Sequence, residues 1–279
     1  MHCAMHRLNW KPGLFNIFSC LSIILDNWDL FREIVFRNTR QRYKGAIFGN
    51  AWGVIHPLMM TAIYTFIFGV VFRVTWEPGG ETFSFPVNIL CGLLFFSVLT
   101  ESVNGGSTLV SKHPNYVKKI IFPLEVLPVA HVVSAFYFAL LWFPVVLTAA
   151  LLVYGFHWTM FFFPLLLLPL FFLCLGCSFF VASLGVYFRD TSMVAAIVMQ
   201  IMFYASAVIF PLSRLSPKWR TLLRLNPMTA LIDEMRKIFL LGQMPDWLYL
   251  CLVLVMSLIV FQLGFFWFYR TKKGFADVI

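Results

Sequence analysis

Residues 32–57, REIVFRNTRQRYKGAIFGNAWGVIHP, carry a basic amphipathic segment straight into an apolar one. Arg32, Arg37, Arg40, Arg42 and Lys44 crowd into about four helical turns, and no charged residue follows from Ala51 to Phe72. About 20 apolar residues suffice to cross a bilayer, and Lys or Arg beside such a run marks its cytoplasmic end. The stretch therefore sets the fold class, an all-α integral membrane protein, and its orientation.

The rest of the chain repeats the pattern. Further spans are expected at 83–103, 127–153, 160–188, 193–212 and 247–269, which makes six transmembrane helices with both termini in the cytoplasm. On that topology 14 Lys/Arg lie inside and seven outside. The domain reading is a cytoplasmic N-terminal tail with interface helices at 1–50, a six-helix membrane domain at 51–269 and a cytoplasmic tail at 270–279. A composition of 61% hydrophobic and 12% charged residues excludes an ordinary soluble domain. The net charge of +9 flanks apolar spans, so it is matched to anionic lipid and not to nucleic acid.

Arg7 and Lys11 precede an apolar run, Leu14 to Leu25, that is too short to span. No small-x-small cleavage site follows it. Its apolar residues recur at i, i+3, i+4 and i+7, which predicts an amphipathic helix lying on the inner membrane surface. A second amphipathic helix is expected from Leu30 to Tyr43, capped by Asp29. His56-Pro57 lies about a turn inside the first span, where proline bends a helix.

No catalytic constellation is present. Residues 105–112, GGSTLVSK, lack the second glycine and the Lys-Ser/Thr pair of a phosphate-binding loop. Of six cysteines only Cys174 and Cys177 have metal-like spacing, and they sit inside an apolar run as small packing residues. The chain therefore hydrolyses no nucleotide by that route, and no cluster of its residues calls for a cofactor of its own. A stand-alone secondary transporter would show internal repeats and paired intramembrane charges. A membrane enzyme would need an acid/base pair at one face, and neither pattern is seen. The polar residues placed inside spans are Asn88, Glu101, Asn104, His131, Gln200 and Gln262.

Two connecting segments carry their own signals. The inner loop 109–126 lies around residues 111–128, SKHPNYVKKIIFPLEVLP, in which Pro114 starts a short helix and Pro123 ends it. Such a proline-bracketed turn, bearing Tyr116, Lys118, Lys119, Phe122 and then Glu125, suits docking of a cytoplasmic partner. The outer segment 213–245 holds most of the basic residues that oppose the charge rule. Ser216-Pro217 and Asn226-Pro227 each place a cap before a proline at the first helical position. Two short re-entrant helices are expected, the second with an apolar stripe Leu231, Met235, Ile238 and Phe239. Asp233, Glu234, Arg236 and Lys237 fall off that stripe, and Trp219 and the basic residues meet the interface.

Several stretches, in register along the chain, resemble the membrane subunit of ABC exporters that move polysaccharides. That family serves O-antigen, group 2 capsule and teichoic acid export. The first is FREIVFRNTRQRYKGAIFGNAWGVIHPLM, with Arg32, Glu33, Arg42, Tyr43, Gly49, Trp52 and Pro57 at similar positions. The others are VKKIIFPLEVLPVA, YFRDTSMV, LNPMTALIDEMRKIFLLG and the final GFADVI. Phe48 stands where the family has Leu, and Leu124 where it often has Arg. The resemblance implies an ATP-driven exporter of lipid-linked polysaccharide in a bacterial inner membrane, with O-antigen as the leading cargo. It also implies a homodimer with two ATPase subunits, which bind the ATP and Mg. Pro114, Tyr116, Lys118, Lys119, Phe122, Pro123 and Glu125 would couple to the ATPase. Arg42, Tyr43, Phe48, Gly49 and Trp52 would form an inner-face substrate entrance. Trp219, Asn226, Pro227, Leu231, Met235 and Phe239 would form an outer gate. An exporter of drugs or other small molecules is the alternative.

Overall fold

The computed structural model describes residues 17–74, 76, 84–117 and 122–278. Arg7, Lys11 and Leu14, the expected start of the second span at Phe83, and Lys118 and Lys119 lie outside the described residues. Helices α1 (Ile17–Asp26) and α2 (Trp28–Gln41) meet at Asn27, whose amide donates to the Ile23 carbonyl at 2.9 Å. Asp29, the expected cap, instead lies in the first turn of α2, where its charge still favours the helix N-terminus. Gly45 and Gly49 then adopt φ +89° and +48°, and turn the chain into the bundle.

Helix α3 (Trp52–Tyr64) continues through a wider π-helical segment to Val71. Pro57 has no N–H to offer in this helix, and the Thr61 hydroxyl donates to its carbonyl at 2.8 Å. Helix α4 (Ser84–Gly106) is enclosed by its neighbours on nearly every side. It is followed by the single turn α5 (Pro114–Val117), then α6 (Val126–Tyr154) and α7 (Phe163–Tyr187). Helices α8 (Thr191–Ala205), α9 (Pro217–Arg224), α10 (Pro227–Phe239), α11 (Trp247–Thr271) and α12 (Phe275–Val278) complete the chain.

Among the described residues, five stretches are long and apolar enough to cross a membrane: Gly49–Val71, Ser84–Gly106, Val126–Tyr154, Trp158–Tyr187 and Trp247–Val278. The span expected at 193–212 is not among them, because α8 has only 15 residues. At 1.5 Å per residue that is about 22 Å, short of a hydrocarbon core of about 30 Å. The reason lies some 20 to 30 residues downstream. The Asn226 amide binds the Ala205 carbonyl and the Ser206 hydroxyl, while the Arg236 guanidinium binds the Ala207 and Val208 carbonyls. Ala207 is held at φ +51°, so the helix stops there.

The tightest pairing is α7 with α11. A Cβ on Gly264 would fall 2.1 Å from the Gly176 carbonyl oxygen, and one on Gly176 would fall 2.5 Å from the Val260 backbone. Glycine lets the two backbones touch, which is how helices associate where water cannot drive them together. Phe179 then packs edge-on against Phe265 and Phe268, each at 5.3 Å between ring centroids. Cys174 is buried and Cys177 half-buried on α7, both free thiols inside its apolar run.

Candidate functional site

Four groups of residues are candidates, two at the end of the bundle next to α2 (the near end), one at the opposite, far end and one between them. At the near end α2 delivers Arg42 to the lower part of α4. Its guanidinium pairs with Glu101 at 2.9 Å, both side chains about one-third exposed (31% and 33%). The same guanidinium lies 4.4 Å from the centre of the Phe138 ring, and Tyr43 meets that ring edge-on at 5.4 Å. Together with Trp52, His56 and Trp142 these residues enclose a cavity of about 70 Å³. The expected entrance residues Arg42, Tyr43 and Trp52 are thus brought together. Phe48 points outward, 60% exposed, with its ring edge-on to Trp52, and Gly49 serves as the turn.

Glu101 was legible as a polar residue in a span, but its partner was not. A carboxylate at that depth requires a cation or water, and Arg42 is the nearest cation that the preceding amphipathic helix can offer. One turn further on, the His131 imidazole bonds the Glu101 carbonyl at 3.0 Å. Gly105 leaves the room for it, since a Cβ there would stand 2.3 Å from the ring.

The second near-end group is the proline-bracketed loop. Tyr116 does not project outward: its ring stacks on Phe122 at 4.3 Å, and Arg37 of α2 donates to its hydroxyl. His113 lies beside it at 5.6 Å between ring centroids. Burial, with Arg37 and Lys112 nearby, holds the His113 imidazole below its ordinary pKa. Pro114 and Pro123 are half-buried, and Glu125 is buried and paired with Lys272 beyond α11. Tyr116 and Glu125 therefore brace the loop against α2 and the C-terminal segment. Phe275 of α12, fully buried against Phe268 and Tyr187, ties that segment down.

At the far end both proline-initiated helices form where expected. The Asn226 side chain caps α10 by accepting the Met228 N–H at 3.0 Å. Ser216 precedes Pro217 but makes no side-chain capping bond. Leu231, Met235, Ile238 and Phe239 are all fully buried, and Phe239 packs edge-on against Phe163 at 5.4 Å. Trp219 is 57% exposed. The polar side of α10 departs from expectation, because Glu234 and Arg236 are buried as well. Glu234 accepts the Asp246 N–H at 3.0 Å and pairs with Lys237 at 2.6 Å. Arg236 donates to Asn88, Ala207 and Val208 carbonyls at 2.8–3.2 Å and lies 4.3 Å from the Trp76 ring centre. Arg220 likewise binds the Leu212 and Ser213 carbonyls instead of turning wholly outward. Helix α10 is thus wedged into the bundle, not laid on it.

Between the two ends, α3, α4 and α8 border a trough. Tyr64, Phe96, Phe203 and Tyr204 supply ring faces, and Thr100, Asn104 and Gln200 supply neutral polar groups around a space of about 250 Å³. The Thr100 hydroxyl and the Asn104 carbonyl oxygen are buried there without a hydrogen-bond partner among the described residues.

Comparison with known proteins places residues 29–240 in the family described as "ABC-2 type transporter". Over 255 residues the chain is 24% identical to the "O-antigen export system permease protein RfbA" of Klebsiella pneumoniae. It is 27% identical to the protein of the same name from Myxococcus xanthus. Each match covers 90% of this chain and 95% of the relative.

Proposed function

Since the chain belongs to the ABC-2 type transporter family, we propose that it is the membrane subunit of an ATP-driven exporter of lipid-linked polysaccharide. O-antigen is the favoured cargo, with capsule and teichoic acid next. On this reading the near end faces the cytoplasm of a bacterial inner membrane, in line with the Lys/Arg distribution. Helix α8, extended by the turn that Arg236 holds, makes the remaining crossing of six, and α9 and α10 re-enter from the outer face. A second copy of the chain and two ATP-binding-cassette subunits complete the exporter, and ATP and Mg belong to those subunits.

The observation that carries this reading is the trough between α3, α4 and α8. A sugar polymer presents hydroxyls and apolar C–H faces, and it is recognised by ring faces and neutral hydrogen-bonding groups. The trough offers both, and no formally charged side chain lines it among the described residues. The helices that border it are exposed and apolar, with Phe66 on the π-helical segment, Phe72 just after it, and Ile197 and Ile201 on α8. A second copy packed there would turn two troughs into one conduit. The near-end cavity around Arg42, Tyr43 and Trp52 would receive the lipid-linked end. The braced loop at Pro114 would pass ATPase motion to α2 and α6, and α10 would close the outer exit.

The test is removal of the chain from its native host. Polysaccharide should vanish from the cell surface while lipid-linked glycan accumulates inside, and the intact chain should restore export. Normal surface polysaccharide with heightened drug sensitivity would favour the small-molecule exporter instead.

A further inference from the structure

The far end holds a second cavity, of about 260 Å³, between α9, α10 and the outer turns of α4 and α6. Four cations border it, Arg220, Arg224, Arg236 and Lys237, against one carboxylate, Asp233. Lys237 is matched, at 2.6 Å from Glu234 and 4.0 Å from Asp233. Arg220, Arg224 and Arg236 form no ion pair among the described residues. Backbone carbonyls satisfy the hydrogen bonds of Arg220 and Arg236 but leave their charge uncompensated. Arg224 is exposed, and its side chain makes no hydrogen bond or ion pair among the described residues. A cleft lined by one sign of charge with low-dielectric walls focuses its potential and gathers counter-ions.

We propose that this cavity binds the phosphate group of a lipid headgroup, with Arg224 as its principal contact. Guanidinium groups suit the task because their planar forks hold phosphate oxygens through paired, charge-assisted hydrogen bonds. With a water's share of liquid near 30 Å³, a space of about 260 Å³ accommodates a phosphate with its remaining hydration. One side of the cavity is apolar, with Trp76, Leu240 and the half-exposed Leu241, and an acyl-glycerol part can rest there. The proposal does not depend on which cargo the chain exports.

The experiment uses the purified full chain in a phosphate-free maltoside detergent, and reads the melting temperature during titration. A ligand that binds only the folded state raises that temperature with concentration. The probes are dihexanoyl phosphatidylglycerol, inorganic phosphate and dihexanoylglycerol, which lacks the phosphate. The expected result is saturable stabilisation by the phosphatidylglycerol and none by dihexanoylglycerol. Arg224→Gln should weaken binding about tenfold, the loss of one charged hydrogen-bonding contact. Asp233→Asn, which removes the only carboxylate that lines the cavity among the described residues, should tighten it, an effect that a merely structural role would not produce. If millimolar inorganic phosphate competes, the phosphate itself is recognised whichever molecule brings it. If it does not compete, the intact lipid headgroup is the ligand. Equal stabilisation by dihexanoylglycerol, no stabilisation at all, or unchanged binding in both variants would overturn the proposal.

Discussion

Arg42 and Arg236 sit at opposite ends of the same bundle and are held by opposite means. Arg42 is about one-third exposed, meets a single carboxylate on α4 and borders a small aromatic cavity. Arg236 is buried, meets no carboxylate, and gathers three backbone carbonyls from α4 and the turn after α8. An exposed ion pair contributes only about 0–1 kcal/mol to stability, because water already serves both groups. A buried guanidinium is different, since its removal strands every carbonyl it satisfied. The first arginine is therefore free to serve transport, and the second defines where α8 ends and how α10 seats.

The contrast breaks most visibly at Arg236. Arg236→Met should have the largest effect, because three buried carbonyls lose their donor at about 1–3 kcal/mol each. It should lower the melting temperature of the purified protein sharply. Arg236→Lys should recover only part of the loss, because a lysine keeps the charge but not the fork that spans three carbonyls. A melting temperature equal to the parent's for Arg236→Met would remove the basis of the comparison.

Glu125 with Lys272 is the intermediate case, a buried carboxylate paired with a partly exposed lysine. Lys272→Met should cost about 1–3 kcal/mol by leaving Glu125 unpaired. Adding Glu125→Gln should give part of it back, since a neutral amide is cheaper to bury than a lone charge. No recovery in the double variant would show that packing, not charge, holds the C-terminal segment.

The smallest effect on stability belongs to the near end. Glu101→Gln should shift stability by less than about 1 kcal/mol while lowering export several-fold, because Arg42 is then released from its position over Phe138. Thermal melts and surface glycan measured on the same variant check the two halves. Unchanged export would mean that the pair is only a surface contact.

The two arginines also mark what the sequence could and could not disclose. Five spans follow from their apolar runs, and α9 and α10 start where Ser216-Pro217 and Asn226-Pro227 place them. These are local signals, written within a few residues of the element they govern. The end of α8 is not local, because Asn226 and Arg236 impose it from across the fold. Periodicity assigns charged residues to the solvent side of a helix, which misplaces Glu234 and Arg236. Their satisfaction comes from Asp246 and from backbone carbonyls, which no pattern of side chains announces. In the loop, Tyr116 and Glu125 read as outward contacts, yet Arg37 and Lys272, distant in sequence, turn them inward.

The transport reading rests on the neutral, aromatic trough of α3, α4 and α8, and one measurement addresses it directly. A photo-crosslinking amino acid at Gln200, exposed on α8 at the trough, is compared in glycan-producing cells with one at Leu152, which is 87% exposed on the apolar surface of α6. Irradiation during export should join lipid-linked glycan to the chain at position 200 and leave position 152 free of it. Glycan adducts in equal amount at both positions, or none at position 200 while export proceeds, would contradict the account.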